Sequence, residues 1–408
     1  MRLNMIKKAA VLLAGFLFVH CGAPDPLDTG DTGDTGDTRD TGDTAGVAAL
    51  AQPLTATSSF LYTVTNGSSN AIAAYRRDAS TGAIGSLVGL YGTGGAGSGD
   101  LLVSQSGLIT DGRYLFVVNP GSNTISSLAI GSTGALSRVS TVDSGGTFPV
   151  SLILRGSQLL ILNQGTAARA PSLTGFTVAA GGLLTATGLR TALTFGNIPT
   201  HIVLNPSGSL LILLVPQPAG TGHMVSYAVS YDTSGNIARL TKRYDFTGLP
   251  GPFAGVFSPR AAASNQLLVV DENLPGAISF VVGTSGTLTV NNSAVSRQRF
   301  PCWIVVNAAG TSAFTTNTGA DTLSLFAVAS DGKMTLRSNV GAAGHLPTDL
   351  TLDPAGRYLY EVNVGSASVK GWRLTGATTS AGLAAVNATA AADLPADAAP
   401  FGVVVVDK

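Results

Sequence analysis

At 408 residues the chain is long enough for a large core, and its 23 basic and 23 acidic side chains cancel. Residues 45–408 carry 23 − 4 = 19 basic against 23 − 7 = 16 acidic side chains, about +3, which is too weak a field for nucleic-acid binding. With 51 glycines, 11% charged residues and only two glutamates, Glu272 and Glu361, the composition excludes a mainly helical protein and favours strands and turns.

Residues 1–21 have the pattern of an export signal. Lys7 and Lys8 precede an apolar run, Ala9 to Val19, which is shorter than the roughly 20 residues a membrane-spanning helix needs. The run ends at Cys21 and resembles a bacterial lipoprotein signal, in which the cysteine is lipidated. His20 departs from that pattern by standing where a small residue is usual. Residues 22–58 form the tether. Its Asp28–Thr44 segment, DTGDTGDTGDTRDTGDT, has no apolar side chain with which to offset chain entropy, so a disordered, self-repelling spacer is expected. Its Asp spacing lacks the pattern and distal Glu of a calcium loop. These segments imply a lipid anchor in the cell envelope: outer membrane and periplasm, or cell surface.

From residue 59 to 408 short alternating strands follow one another, separated by Gly, Pro and Asn turns. Phe60–Leu87 and Gly112–Val139 are loose copies of one unit, and Leu346–Leu374 is its cleanest copy. Later copies open on Pro149, Pro199, Pro252, Pro301, Pro347 and Pro400, at spacings of 50, 53, 49, 46 and 53 residues. A strand-only period near 50 predicts an all-β, seven-bladed β-propeller of four-stranded antiparallel blades. The first copy begins at its second strand, and the last, Ala399 to Val406, is one strand without a successor. Pairing Val403–Val406 beside Phe60–Thr65 closes the ring and removes its open edges. Blades three and four depart from the unit at Asn163–Gly175 and Leu210–Gly220, and blade five inserts Ala261–Ser264.

Gly92, Gly94 and Gly97 match G-x-G-x-x-G, but the loop leads into Leu101–Val103, a strand candidate, where a dinucleotide site needs a helix. No phosphate loop, nucleophile elbow or zinc-protease motif is present, and neither cofactor nor metal is expected. Cys302, beside Trp303, reads as a small buried hydrophobe. His201 falls on an innermost strand lining the central channel and is a candidate site residue. His345 is placed near the same mouth, and His223 in a solvated turn.

Leu350–Asn363, LTLDPAGRYLYEVN, and Ile202–Leu213, IVLNPSGSLLIL, resemble the lactonase-type seven-bladed propellers, the group similar to 6-phosphogluconolactonase. Tyr62–Asn66, YTVTN, resembles the related surface repeats. The family implies His, Glu and Arg side chains at the channel mouth. Glu272, in VVDENLPGAISF, matches the family's acidic residue, and His201 lies near its blade-four histidine. The matching basic positions are lost. They become Phe253-Ala254 after Gly251-Pro252, Thr318 after Thr316-Asn317, and Thr348 after Pro347.

Opening a lactone requires a base for water and donors for the developing oxyanion, and a phosphosugar also calls for Arg or Lys. Two functions follow. The first is a tethered, non-catalytic propeller that binds a protein, glycan or small-molecule ligand on its loop face. The alternative is a lactone hydrolase with catalytic Glu272, as base or water orienter, and His201 as its partner.

Overall fold

The computed structural model describes residues 58–194, 198–217, 222–260, 265–341, 344–375, 382–385, 394–395 and 398–408. The leader, Cys21, residues 22–57 of the tether and Ala261–Ser264 lie outside them.

Seven four-stranded antiparallel sheets form the blades. Each second strand is buried on both faces between neighbouring blades, so it reads as a continuous apolar run such as Leu210–Val215 (LLILLV) or Gln266–Asp271 (QLLVVD). Outer strands have one wet face and alternate, as in Leu184–Ala192. This gradient explains the exposed Val290 and Val295 on the outer strand of blade five.

The ring closes as the repeat count requires. Phe401–Asp407 pairs antiparallel with Ser59–Val64 and becomes the innermost strand of blade one. A buried polar network locks the seam between blades one and seven. Arg77 pairs with Asp353 at 2.8 Å, neither side chain being exposed, and with Asp407 at 3.2 Å. Its Nε donates to Tyr360 Oη at 2.6 Å, and that hydroxyl donates to Gly82 O at 2.7 Å. A buried charge of this kind is tolerated only in a defined geometry, which favours one pairing of the ring's ends.

Blades one, two and three also interlock with the preceding blade through the turn before their outer strands. Gly82, Gly134 and Gly182 lie at φ +78°, +83° and +82°, and a Cβ there would strike the rings of Tyr358, Phe60 and Tyr114 on the preceding blade. The recurrent glycine thus gives both the left-handed turn and a seat for an aromatic ring.

One element departs from the sequence expectation. Leu101–Val103 is not a strand: residues 101–107 have no strand pairing and cross the centre of the ring. Ser104 Oγ donates to Val150 O at 2.9 Å and also lies against Thr200 O. Trp303 Nε1 donates to Ser104 O at 2.8 Å. Gln105 bonds both backbone groups of Ile304, at 2.8 and 3.1 Å. Ser106 O accepts from Leu152 N at 2.9 Å, and its own N–H donates to Asp349. The segment therefore bonds the inner strands of blades three, four, six and seven, plugging the channel that those strands were expected to line.

Candidate active site and the two ends of the channel

Inner strands run from an entrance face, where Pro149, Pro252, Pro301 and Pro347 stand, to an exit face where each turns into the second strand. Second strands return antiparallel, which sets Asp271 opposite Pro252 and brings the next residue, Glu272, to the entrance face. Glu272 N donates to Gly251 O at 2.9 Å. The corresponding bonds in other blades are Gln164 N to Phe148 O, Thr318 N to Phe300 O and Val364 N to Leu346 O. Those three carbonyl residues, all just before the entrance proline, have φ of 56°, 50° and 53°, a left-handed strain repeated around the rim.

Glu272 thus occupies a structurally defined rim position. In blades three and six its counterparts bridge to the next blade, Gln164 Nε2 donating to Pro199 O at 3.1 Å and Thr318 Oγ1 to Pro347 O at 2.7 Å. The Glu272 side chain lies under Gly251, where a Cβ would come within 2.6 Å of its Cγ. It is 4% exposed, and burial first, then the neighbouring Asp271 charge, push its carboxyl up to about 8. Asp271 is itself raised to about 6 by burial, although it accepts from Gly251 N and Asn273 N, both at 2.9 Å. At neutral pH the pair shares its protons unequally, Glu272 holding one and Asp271 largely ionised. With that proton the Glu272 carboxyl can donate a hydrogen bond as well as accept one.

His201 begins the inner strand of blade four and is fully enclosed beneath the plug. Its Nδ1 accepts from Gly255 N at 3.2 Å, which leaves the proton on Nε2, 3.3 Å from Ser106 Oγ. Burial lowers its pKa to about 3, so it stays neutral. His201 lines a cavity of about 430 Å³ with Gln105, Ser106, Leu152, Arg155, Asn205 and Val256, among others. That lining follows the inner strands towards the exit face, and Glu272 is not part of it. The backbone atoms that hold the two residues are Gly251 O, just before the inner strand of blade five, and Gly255 N within it, on the order of 10 Å apart. Glu272 and His201 therefore do not line one cavity.

The positions where the family implies cations are filled by packing groups. Phe253 is fully buried edge-on against Trp303, with ring centroids 4.9 Å apart. Thr348 Oγ1 donates to Val362 O at 3.2 Å, and Thr318 forms its bridge to Pro347. Asp349, which follows Thr348, is buried and raised to about 7 by that burial; it accepts from its neighbour Leu350 N at 2.9 Å and holds the plug through Ser106 N. Cys302 is wholly buried beside Trp303.

The other two histidines stand on the entrance face, each beside a carboxylate. His345 Nδ1 lies 2.7 Å from Asp321 Oδ2, and Asp321 Oδ1 accepts from Leu346 N at 2.8 Å. Blade two makes the same bridge with an uncharged residue, Asn123 Oδ1 accepting from Phe148 N at 2.8 Å. His223 is not in a solvated turn: it opens a strand, is half-buried and lies 2.8 Å from Asp245.

Residues 219–395 match the family model described as lactonase, 7-bladed beta-propeller. That stretch resembles a lactonase-type propeller. Among solved structures it is similar to a periplasmic gluconolactonase of Pseudomonas aeruginosa at 20% identity and a TM-score of 0.68, over 86% of this chain and 99% of that one. A putative 6-phosphogluconolactonase of Bacteroides fragilis is 17% identical with a TM-score of 0.67, covering 88% of this chain and 100% of its own. A Lactobacillus plantarum protein gives 19% and 0.69, covering 86% and 99%. At these identities the likeness establishes the shared propeller. No curated protein matches the chain.

Sequence reasoning missed the plug, although a signal was present: Ser104-Gln105-Ser106 puts three polar residues inside an otherwise apolar run. It also missed Asp271, whose carboxyl stands where other blades have Asn163, Asn317 or Asn363.

Proposed function

We propose that this lactonase-type propeller hydrolyses a neutral lactone, of the size of a sugar lactone, at its entrance face. The observation that carries this reading is the Glu272 carboxyl, buried at the inner rim under Gly251 and held protonated at neutral pH. Water adds to the lactone carbonyl carbon, and the ring C–O bond breaks as the tetrahedral intermediate collapses. Neutral Glu272 donates its proton to the departing ring oxygen; of the two protons that the attacking water gives up, one returns to the Glu272 carboxylate and the other goes to solvent, so the products are a hydroxyl and a carboxylate. The filling of the cation positions by Phe253, Thr318 and Thr348 argues for an unphosphorylated substrate. His201 has no part in this step and acts through the plug. We further propose export through residues 1–21, lipidation at Cys21 and a tether over residues 22–58, which put the propeller at residues 59–408 in the cell envelope, on a membrane through its lipid anchor.

The test is full-length protein against glucono-δ-lactone and its 6-phosphate, with Glu272→Gln as control. Gln keeps an N–H donor at the rim, as Gln164 does in blade three, but has no acidic proton to give. The neutral lactone should turn over, and the variant should lose about 100-fold or more in kcat/KM without losing its melting temperature. A variant as fast as wild type refutes the assignment. No turnover above the spontaneous rate favours the second reading, a non-catalytic module that binds a protein, glycan or small molecule on its loop face. The cation positions given over to packing are the observation behind that reading.

A further inference from the structure

The elongated blade-three loop is a built structure. Thr166 and Arg169 form a two-residue bridge, Thr166 N to Arg169 O at 2.8 Å and Arg169 N to Thr166 O at 3.1 Å. Gly165, at φ +79°, turns the chain into it at a place where a Cβ would meet Arg169 O. The bridge fixes the base of the Arg169 side chain, which forms no ion pair or hydrogen bond with any described residue.

Across from it stands Arg190, near the end of the outer strand of blade three. Its Nε makes one long bond, 3.4 Å, to Gly145 O, which aims the guanidinium and leaves its terminal nitrogens unengaged. Asp143 closes the third side. One of its oxygens accepts from Gly145 N at 2.7 Å, and the other has no partner among the described residues. Between these groups lies a cleft of about 520 Å³, floored by Gly145, Gly146 and Thr147. Second-to-third-strand loops and blade-to-blade loops both open on the entrance face, so the cleft shares that face with Glu272 while lying out towards the edge of its blade.

We infer that this cleft binds a carboxylate-bearing sugar. Two guanidiniums that spend almost none of their donors on the protein are a fork for a planar anion. Asp143 narrows the class. Its open oxygen accepts hydroxyl protons, and its charge opposes a second negative charge on the ligand, leaving a net of +1 from the three side chains. A polyhydroxylated monoanion satisfies both conditions, and a phosphate dianion does not. The same chemistry is offered by a uronic acid residue within an acidic glycan and by a free sugar acid.

Calorimetric titration of the full-length protein with trigalacturonate, gluconate and glucose 6-phosphate separates the possibilities. One or both carboxylate sugars should bind, with the trimer at least tenfold tighter if the source is a polymer and equal affinity if it is the free acid. Arg169→Gln and Arg190→Gln should each weaken binding about 10- to 100-fold, the loss of one charge-assisted hydrogen-bonding group. Asp143→Asn should raise affinity for glucose 6-phosphate relative to gluconate. The binding readout requires no turnover, so failure of the hydrolytic reading leaves this result untouched. Thermal melts of the exposed-arginine variants confirm that folding is unchanged. Absence of binding by both carboxylate sugars, affinity indifferent to both arginines, or preference of the wild type for the phosphate overturns the inference.

Discussion

Removing residues 399–408 tests ring closure more severely than any point substitution. The deleted strand supplies Phe401, Val403, Val404, Val405 and Val406, each no more than 9% exposed, and six backbone pairings to Ser59–Val64. Burying a large apolar side chain contributes about 1.5–3 kcal/mol, so five of them contribute roughly 8–15 kcal/mol. Domains of ordinary stability have about 5–15 kcal/mol in total. The deletion also removes Asp407 from Arg77, leaving the buried guanidinium with Asp353 alone among its carboxylates. The truncated chain should therefore lose its cooperative transition, followed by near-ultraviolet circular dichroism and calorimetry, rather than melt a few degrees lower. A cooperative, native-like melt within about 10 °C of the full-length protein would refute the closed ring as the source of stability.

Two further outcomes follow from the plug and the rim. Gln105→Ala leaves both the N–H and the carbonyl of Ile304 without their side-chain partner in the buried centre, and should cost about 2–5 kcal/mol in urea unfolding; a loss below 0.5 kcal/mol would mean that the crossing segment contributes little. For Glu272 the sign follows from its raised pKa. Between the ordinary value of 4.5 and about 8, the folded chain keeps a proton that the unfolded chain has released, so this residue makes the protein less stable as pH rises through that window. Glu272→Gln does not titrate, and its stability relative to wild type should climb from pH 4.5 to about 8, by on the order of 4 kcal/mol, and then level off. A difference that is flat with pH would show that the carboxyl is not held protonated.

The fold was legible from residue 59 onward because propeller blades repeat a local pattern. Alternation, turn residues and the recurring entrance proline are set within about 50 residues, and the unmatched first and last strands imply closure without any knowledge of the core. Glu272 was legible as a rim residue for the same reason, its place in the repeat being that of Gln164 and Thr318. The charge state of Glu272 was not legible, since it depends on Asp271, burial and Gly251, which only the packed rim assembles. Nor was its separation from His201. Strand periodicity puts both on inner elements but says nothing of what fills the axis, and two residues of the Ser104-Gln105-Ser106 crossing bond partners 199 positions away. The Arg169, Arg190 and Asp143 cleft has the same origin: three positions separated in sequence meet only because the outer strand, the elongated loop and the blade-to-blade connection end on one face. Sequence by itself determined the repeating element and its number. Tertiary structure decided which side chains share a cavity and which of them hold a proton, because both depend on contacts between blades that no local pattern encodes.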